Sequence, residues 1–264
     1  MEVAVLPDLE TIGRIGASRI VQVLADNPAA TIGLATGSSP LPVYENLVEQ
    51  YRAGRVSFAA AQAYCLDEYV GLPSDHPESY SNFISRVFTS QVDFRPGAVH
   101  APDGLAPDLV AAAAEYDAQI RAAGGADIQL LGIGVDGHIG FNEPGGSLSS
   151  RTHLGFLAEQ TRRDNARFFG GDINQVPTAC LTQGLGTIME AHALVLVATG
   201  ENKAEAVRGM IEGPVSAYCP ASILQFHNNV TVLLDEAAAA GLQMRHEYQA
   251  TWDGFRRLEQ ENHV

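Results

Sequence analysis

The stretch Leu130–Arg151, LLGIGVDGHIGFNEPGGSLSSR, decides how the rest of the chain is read. The apolar run Ile128–Ile133 has the length and composition of a buried strand. It empties into a glycine-rich polar segment that carries Asp136, His138, Asn142 and Glu143. In an open α/β sheet, ligands sit in the crevice beyond the carboxyl ends of the strands. A strand that delivers two carboxylates and an imidazole to that crevice marks a candidate site. An ordinary loop accounts for the glycines and for Pro144, but not readily for the acids and the histidine together.

Outward from this stretch, the chain repeats one pattern. Leu9–Leu24 has apolar residues at helical spacing and stops at Asn27-Pro28. Thr31–Ala35 reads as a strand, Thr36-Gly37-Ser38-Ser39-Pro40 as a tight turn and Leu41–Tyr51 as a helix, with Pro40 suited to the first helical turn. A strand, small-residue turn and helix in that order aim free backbone N–H groups and the positive end of the helix dipole at the turn, which favours an anion. A plain N-capped turn is an equal reading of the same residues. The GxxxxGK[ST] pattern is absent, so nucleotide is not implied. Ala63–Leu66 reads as a second short strand whose end, Asp67-Glu68-Tyr69, again delivers acids to the crevice. Gly71–Tyr80 is turn-rich, Ser81–Phe88 helical, and Ala106–Arg121 an amphipathic helix with Leu109, Ala112, Ala113, Tyr116 and Ile120 on one face.

On the carboxyl side, Glu159–Phe169 carries Arg162, Arg163 and Arg167, and at least one of the three is expected on a solvated face. Gly170–Pro177 is polar and turn-like, and the segment 157–177 is expected to form a mobile lid. Ala193–Ala198 reads as a strand that leads through Thr199–Lys203 into a helix to about Met210. Lys203 falls in the first turn of that helix, where the dipole disfavours a cation, so an anionic ligand is the natural compensation. Val230–Leu234 is the last strand, and Leu242–Leu258 a helix with Tyr248, Trp252 and Phe255 along a docking face. Strands alternating with helices predict one α/β domain over residues 1–264: Rossmann-like, with a mostly parallel sheet and helices on both faces.

Composition narrows the function. With 16 Lys+Arg against 31 Asp+Glu, the formal charge is −15, which argues against nucleic acid and anionic membranes as partners. An anionic substrate would therefore need a local site of N–H groups and a few cations. No apolar run reaches membrane-spanning length, and the N-terminus MEVAVLPDLE lacks the features of a signal peptide. Cys65, Cys180 and Cys219 are scattered and odd in number, as expected of a reduced, cytoplasmic chain. No serine sits in a G-x-S-x-G elbow, no cysteine lies within the Asp136–Glu143 segment, and there is no H-x-x-x-H or C-x-x-C metal spacing. What remains is general acid–base chemistry, without metal, on a small phosphorylated molecule: an isomerase-like or lactonase-like site.

Five motifs together resemble the glucosamine-6-phosphate deaminases of the glucosamine/galactosamine-6-phosphate isomerase family. They are LATGSSPLPVY (Leu34–Tyr44), LDEYVGLPSDHPESY (Leu66–Tyr80), GVDGHIGFNEPGGSLSSRTH (Gly134–His153), DNARFF (Asp164–Phe169) and the stretch Gly200–Val207. The resemblance implies conversion of glucosamine 6-phosphate and water to fructose 6-phosphate and ammonia, as a step of amino-sugar catabolism and with no cofactor or metal. At matching positions, His138 would assist opening of the sugar ring, with Asp136 and Glu143 tuning it, and Asp67 would be the base that moves the C2 proton towards C1. Thr36, Gly37, Ser38 and Ser39 would cradle the phosphate, with Arg167 and Lys203 as its cations. Family members activated by N-acetylglucosamine 6-phosphate use a hydroxyl- and base-rich segment at a subunit interface. Here Gly146, Gly155 and Phe156 replace those residues, so that activation is not expected, and a homo-oligomer is left open.

Three rivals share the resemblance. A 6-phosphogluconolactonase shares a G-x-D-G-H signature, but Tyr69 and Phe141-Asn142-Glu143-Pro144 favour the deaminases. A galactosamine-6-phosphate deaminase differs at one sugar hydroxyl, which these residues do not resolve. A phosphosugar-sensing domain would be expected to lose the acid–base set, whereas Asp67, Asp136, His138 and Glu143 are all present.

Overall fold

Alternation of apolar side chains along short parallel strands builds the core on both faces of one sheet. The computed structural model describes residues 1–73 and 75–262; Ser74, within the turn-rich segment, and residues 263 and 264 lie outside it. In chain order the elements are β1 (Glu2–Leu6), α1 (Leu9–Asp26), β2 (Thr31–Leu34), α2 (Leu41–Arg52), β3 (Gln62–Cys65), β4 (Asp67–Tyr69), α3 (Tyr80–Val87), β5 (Val99–His100) and α4 (Leu109–Ala122). There follow β6 (Ile128–Leu131), β7 (His153–Phe156), α5 (Glu159–Asn165), β8 (Ala179–Thr182), α6 (Leu185–Ile188), β9 (Leu194–Ala198), α7 (Ala204–Ile211), β10 (Val230–Asp235) and α8 (Arg245–Asn262).

Seven strands form a parallel sheet in the order β1-β10-β9-β6-β2-β3-β5. Ala4, Leu6, Ile32, Leu34, Val195, Val197 and Leu233 point to the side covered by α1 and α2. Val3, Val5, Leu131, Leu194, Leu196 and Val232 point to the side covered by α7 and the 3-10 segment Pro220–Phe226. From β2 the chain runs outward through β3 to β5, and from β6 it runs the other way through β9 to β10. The sheet therefore reverses direction between β2 and β6, and a crevice opens at the carboxyl ends of such a pair.

Three expectations from the sequence need correction. Asp67-Glu68-Tyr69 is not the tail of β3 but a strand of its own, in a second, antiparallel sheet β4-β8-β7. Leu66 makes the last bond to the main sheet, its N–H donating to Leu34 O at 2.9 Å, and the chain then pairs with β8. His153–Phe156 and Ala179–Thr182 carried no strand signal, because four residues of mixed polarity leave too little alternation to read. Two strands of the main sheet were not expected either: β1, although five residues long and apolar from Val3 to Leu6, and β5, whose two residues carry no alternation at all. The C-terminal stripe is also shorter than expected: Trp252 is buried and Tyr248 partly so, but Phe255 is 46% exposed. Two smaller shifts concern helix starts. Pro40 is the residue before α2, and Lys203 closes a 3-10 turn that leads into α7.

Candidate active site

At the β2/β6 crevice the sequence makes an uncapped helix start. The chain leaves β2 at Leu34, and the Tyr44 hydroxyl pins Ala35, accepting from its N–H at 3.1 Å and donating to its carbonyl at 2.7 Å. Gly37 then takes φ +98°, a conformation that side chains rarely adopt and that curls the turn tightly. Pro40 lacks an N–H, and no side chain caps α2. Thr36, Gly37, Ser38 and Ser39 line a cavity of about 380 Å³ at the positive end of this twelve-residue helix.

Two cations reach the same cavity from separate elements. Arg167 comes from the 3-10 turn after α5 and stacks over Phe168 at 4.6 Å. Lys203 comes from the turn after β9, where Gly200, at φ +91°, donates its N–H to both oxygens of Asp235. Burial pulls the Lys203 ammonium below its ordinary pKa, while the charges of Asp164 and Asp136 work against that. The other two arginines of the basic cluster do not join them. Arg162 donates to the carbonyls of Ile173 and Val176, and Arg163 pairs with Glu159 on the surface.

The acid–base groups also converge. Asp67 on β4 lines the cavity but is buried at 5% exposure, and its carboxyl is pushed up to about 8 by burial first and by the neighbouring Glu68 charge second. Glu68 points the opposite way, as strand alternation requires. It accepts the N–H groups of Tyr69, Tyr80 and Ser81, each at 2.9 Å, and so holds the start of α3. The expectation that both acids face the crevice therefore holds for Asp67 alone.

His138 lines the cavity, whereas Asp136 and Glu143 stand behind it. Its Nδ1 lies 2.7 Å from Asp136 Oδ1 and 3.7 Å from Glu143 Oε2. Neither contact is aligned as a hydrogen bond, and both carboxylates stand within ion-pair distance of the ring once it takes up a proton. Asp136 also accepts the His138 N–H at 3.1 Å. Burial would raise the Asp136 carboxyl, but the His138 imidazole outweighs it and holds the acid well below the ordinary range. Glu143 goes the other way, raised mainly by its burial. Gly134 lets the ring sit there: a Cβ at that position would fall 2.3 Å from His138 Cε1. Asp136, His138 and Glu143 each offer a ligand atom within 4.8 Å of the others, a spacing that fits a cation as well as a carboxylate–imidazole relay.

Several lining residues carried no sequence signal of their own. Tyr80 and Asn165 share the hydroxyl of Tyr69, at 3.2 and 2.9 Å, and thereby tie α3 and α5 to β4. Thr161 donates to Glu143. A hydroxyl or amide in a helix is too common for sequence spacing to single it out.

The sequence family described as glucosamine-6-phosphate isomerases/6-phosphogluconolactonase matches residues 10–233. A protein from Mycolicibacterium smegmatis named glucosamine-6-phosphate deaminase is 60% identical over 252 residues, which cover 96% of this chain and 97% of that one. One of the same name from Beutenbergia cavernae is 57% identical over 252 residues, with the same 96% and 97% coverage. A solved structure described as a monomeric glucosamine-6-phosphate deaminase superposes with a TM-score of 0.89 at 42% identity, over 92% of this chain and 100% of that one. A 6-phosphogluconolactonase from Trypanosoma cruzi shares the fold, with a TM-score of 0.75 over 92% of this chain and 97% of that one, at 23% identity.

Proposed function

Since the chain belongs to the glucosamine-6-phosphate isomerase/6-phosphogluconolactonase family, we propose that it converts glucosamine 6-phosphate and water to fructose 6-phosphate and ammonia, a step of amino-sugar catabolism. One observation carries the reading: a buried carboxyl raised to about 8 and a carboxylate-backed imidazole line a single cavity with an anion-binding turn and two cations. Relatives at 60% and 57% identity bear the deaminase name, and the lactonase likeness, at 23%, supports the fold alone.

The roles follow from position. The turn Thr36-Gly37-Ser38-Ser39, with Arg167 and Lys203, holds the phosphate, so its binding energy orients C1 and C2 of the sugar. The His138 imidazole takes the proton of the C1 hydroxyl and returns it to the ring oxygen, which breaks the C1–O5 bond and frees the aldehyde. Asp136 and Glu143 stabilise the imidazolium formed in that step. Asp67 then removes the C2 proton; that electron pair forms the C1–C2 double bond of an enolamine while the C1=O π pair moves to O1, which takes a proton from the substrate's C2 ammonium. Asp67 delivers its proton to C1 as the nitrogen lone pair forms the C2=N bond. This leaves an imine at C2. Water adds to it, ammonia departs, and the ketose remains. Partial desolvation makes Asp67 a far stronger base than an exposed aspartate.

The segment 157–177 acts as a lid in this scheme. Arg162 bonds its far end to its helix, and Gly170 and Gly171, at φ +64° and +84°, supply the hinge. Three free cysteines, two of them buried, suit a reducing compartment such as the cytoplasm.

The test is ammonia release from glucosamine 6-phosphate by chelator-treated protein, with 6-phosphogluconolactone hydrolysis run in parallel. Ammonia matched by fructose 6-phosphate is expected. Lactone hydrolysis without ammonia would move the chain to the sister activity, and binding without either would leave a sensor.

A further inference from the structure

We propose that Thr161 is a positioning residue: its hydroxyl and the Ala158 N–H together fix the Glu143 carboxylate, so that the free oxygen of that group faces the His138 imidazole. The inference rests on the deaminase reading of this site and deepens it.

Glu143 ends a glycine-rich loop, and its carboxylate accepts hydrogen bonds from outside that loop, from Ala158 and Thr161. Its Oε2, at 3.7 Å from His138 Nδ1, has no hydrogen-bond partner among the described residues. The carboxylate is therefore held through Oε1 alone, which accepts from Thr161 Oγ1 at 2.7 Å and from Ala158 N at 3.1 Å. A threonine within a helix ordinarily bonds back to a carbonyl of the preceding turn. Here the buried hydroxyl instead crosses to another segment, 18 residues away in sequence. Both donors lie at the start of the α5 segment, and the turn that follows α5 carries Arg167 to the phosphate end of the cavity. One short element thus holds an anion contact at one end and the relay carboxylate at the other.

Thr161→Val removes the hydroxyl at nearly constant volume, Thr161→Ala adds no bulk should the first variant fail to fold, and Thr161→Ser restores the donor. Ammonia release should fall about tenfold to a hundredfold in kcat for the valine and alanine variants, with KM within about twofold, and recover in the serine variant. A second readout needs no turnover. The Glu143 side-chain carboxyl resonance, identified by its loss in Glu143→Gln, is followed against pH in 13C-labelled protein. The Thr161 hydroxyl lowers this carboxyl against the effect of burial, so its removal should move the midpoint to higher pH, and serine should move it back. Wild-type kcat and an unmoved Glu143 titration in Thr161→Val would overturn the proposal. If the parent protein releases no ammonia, the deaminase reading fails, while the carboxyl titration still decides whether Thr161 holds Glu143.

Discussion

At the scale of single residues, the site is a set of carboxylates driven apart in acidity by where they stand. Asp136 meets an imidazole and stays ionised; Asp67 meets buried surface and a second negative charge and is raised to about 8. Two consequences are measurable. As the base must be ionised, kcat/KM for ammonia release should fall as pH drops below about 8, and Asp67→Asn should abolish turnover while phosphosugar binding persists. Asp67 also links stability to pH. An unfolded aspartate titrates near 3.9, so between about 4 and about 8 the folded chain holds a proton that the unfolded chain has lost, and stability falls as pH rises through that window. Thermal melts should therefore show Asp67→Asn gaining on the parent from pH 4 to pH 9. A constant difference across that range would mean that Asp67 is not raised.

At the scale of elements, the site depends on joints between two sheets. β4 carries Asp67 to the cavity on one side and Glu68 to the start of α3 on the other. Glu68 accepts three backbone N–H groups, two of which belong to the first two residues of α3. Glu68→Ala leaves those donors without their acceptor in buried surroundings and should cost about 2–4 kcal/mol, read as a lower midpoint in urea. Glu68→Gln keeps most of the bulk and removes the charge that helps raise Asp67. The acid limb of its pH–rate profile should then move below that of the parent. A profile that does not move would remove Glu68 from the electrostatics of the base.

At the scale of the whole molecule, a chain of net charge −15 gathers cations from two distant segments around one turn. Binding that requires the folded arrangement stabilises it by mass action, by about 2.7 kcal/mol at a hundredfold excess over Kd. Glucosamine 6-phosphate should raise the melting temperature, and Lys203→Ala should lose most of that rise while an unphosphorylated amino sugar gives little in either protein. A second whole-molecule expectation concerns control. Gly146, Gly155 and Phe156 offer neither a cation nor a hydroxyl, and Phe156 is 73% exposed on β7, an edge strand of the small sheet. N-acetylglucosamine 6-phosphate should leave the substrate saturation curve unchanged; a leftward shift would show an activator site built from other residues. No described helix is long and apolar enough to cross a membrane.

Five of the seven strands of the main sheet, and the places where chemistry leaves it, are legible in the amino-acid sequence. Strands β2, β3, β6, β9 and β10 are apolar runs between amphipathic helices, and that alternation is a local signal that survives without tertiary context. The Asp136–Glu143 segment was likewise legible, because acids and an imidazole beside such a run have few plainer explanations, whereas the turn after β2 read equally well as a plain N-capped turn. Which side of β4 each acid takes follows from the pairing of β4 with β8, which no local pattern announces. The tertiary structure also brought β7 and β8 together, which are too short and mixed in polarity to read alone, and separated Arg167 from Arg162 and Arg163. The same holds for the relay behind His138: Ala158 and Thr161 reach Glu143 across a gap in sequence that no periodicity spans. Local patterning fixes elements because it depends on neighbours along the chain. Acidity and contact depend on neighbours in space, and those exist only once the two sheets have met.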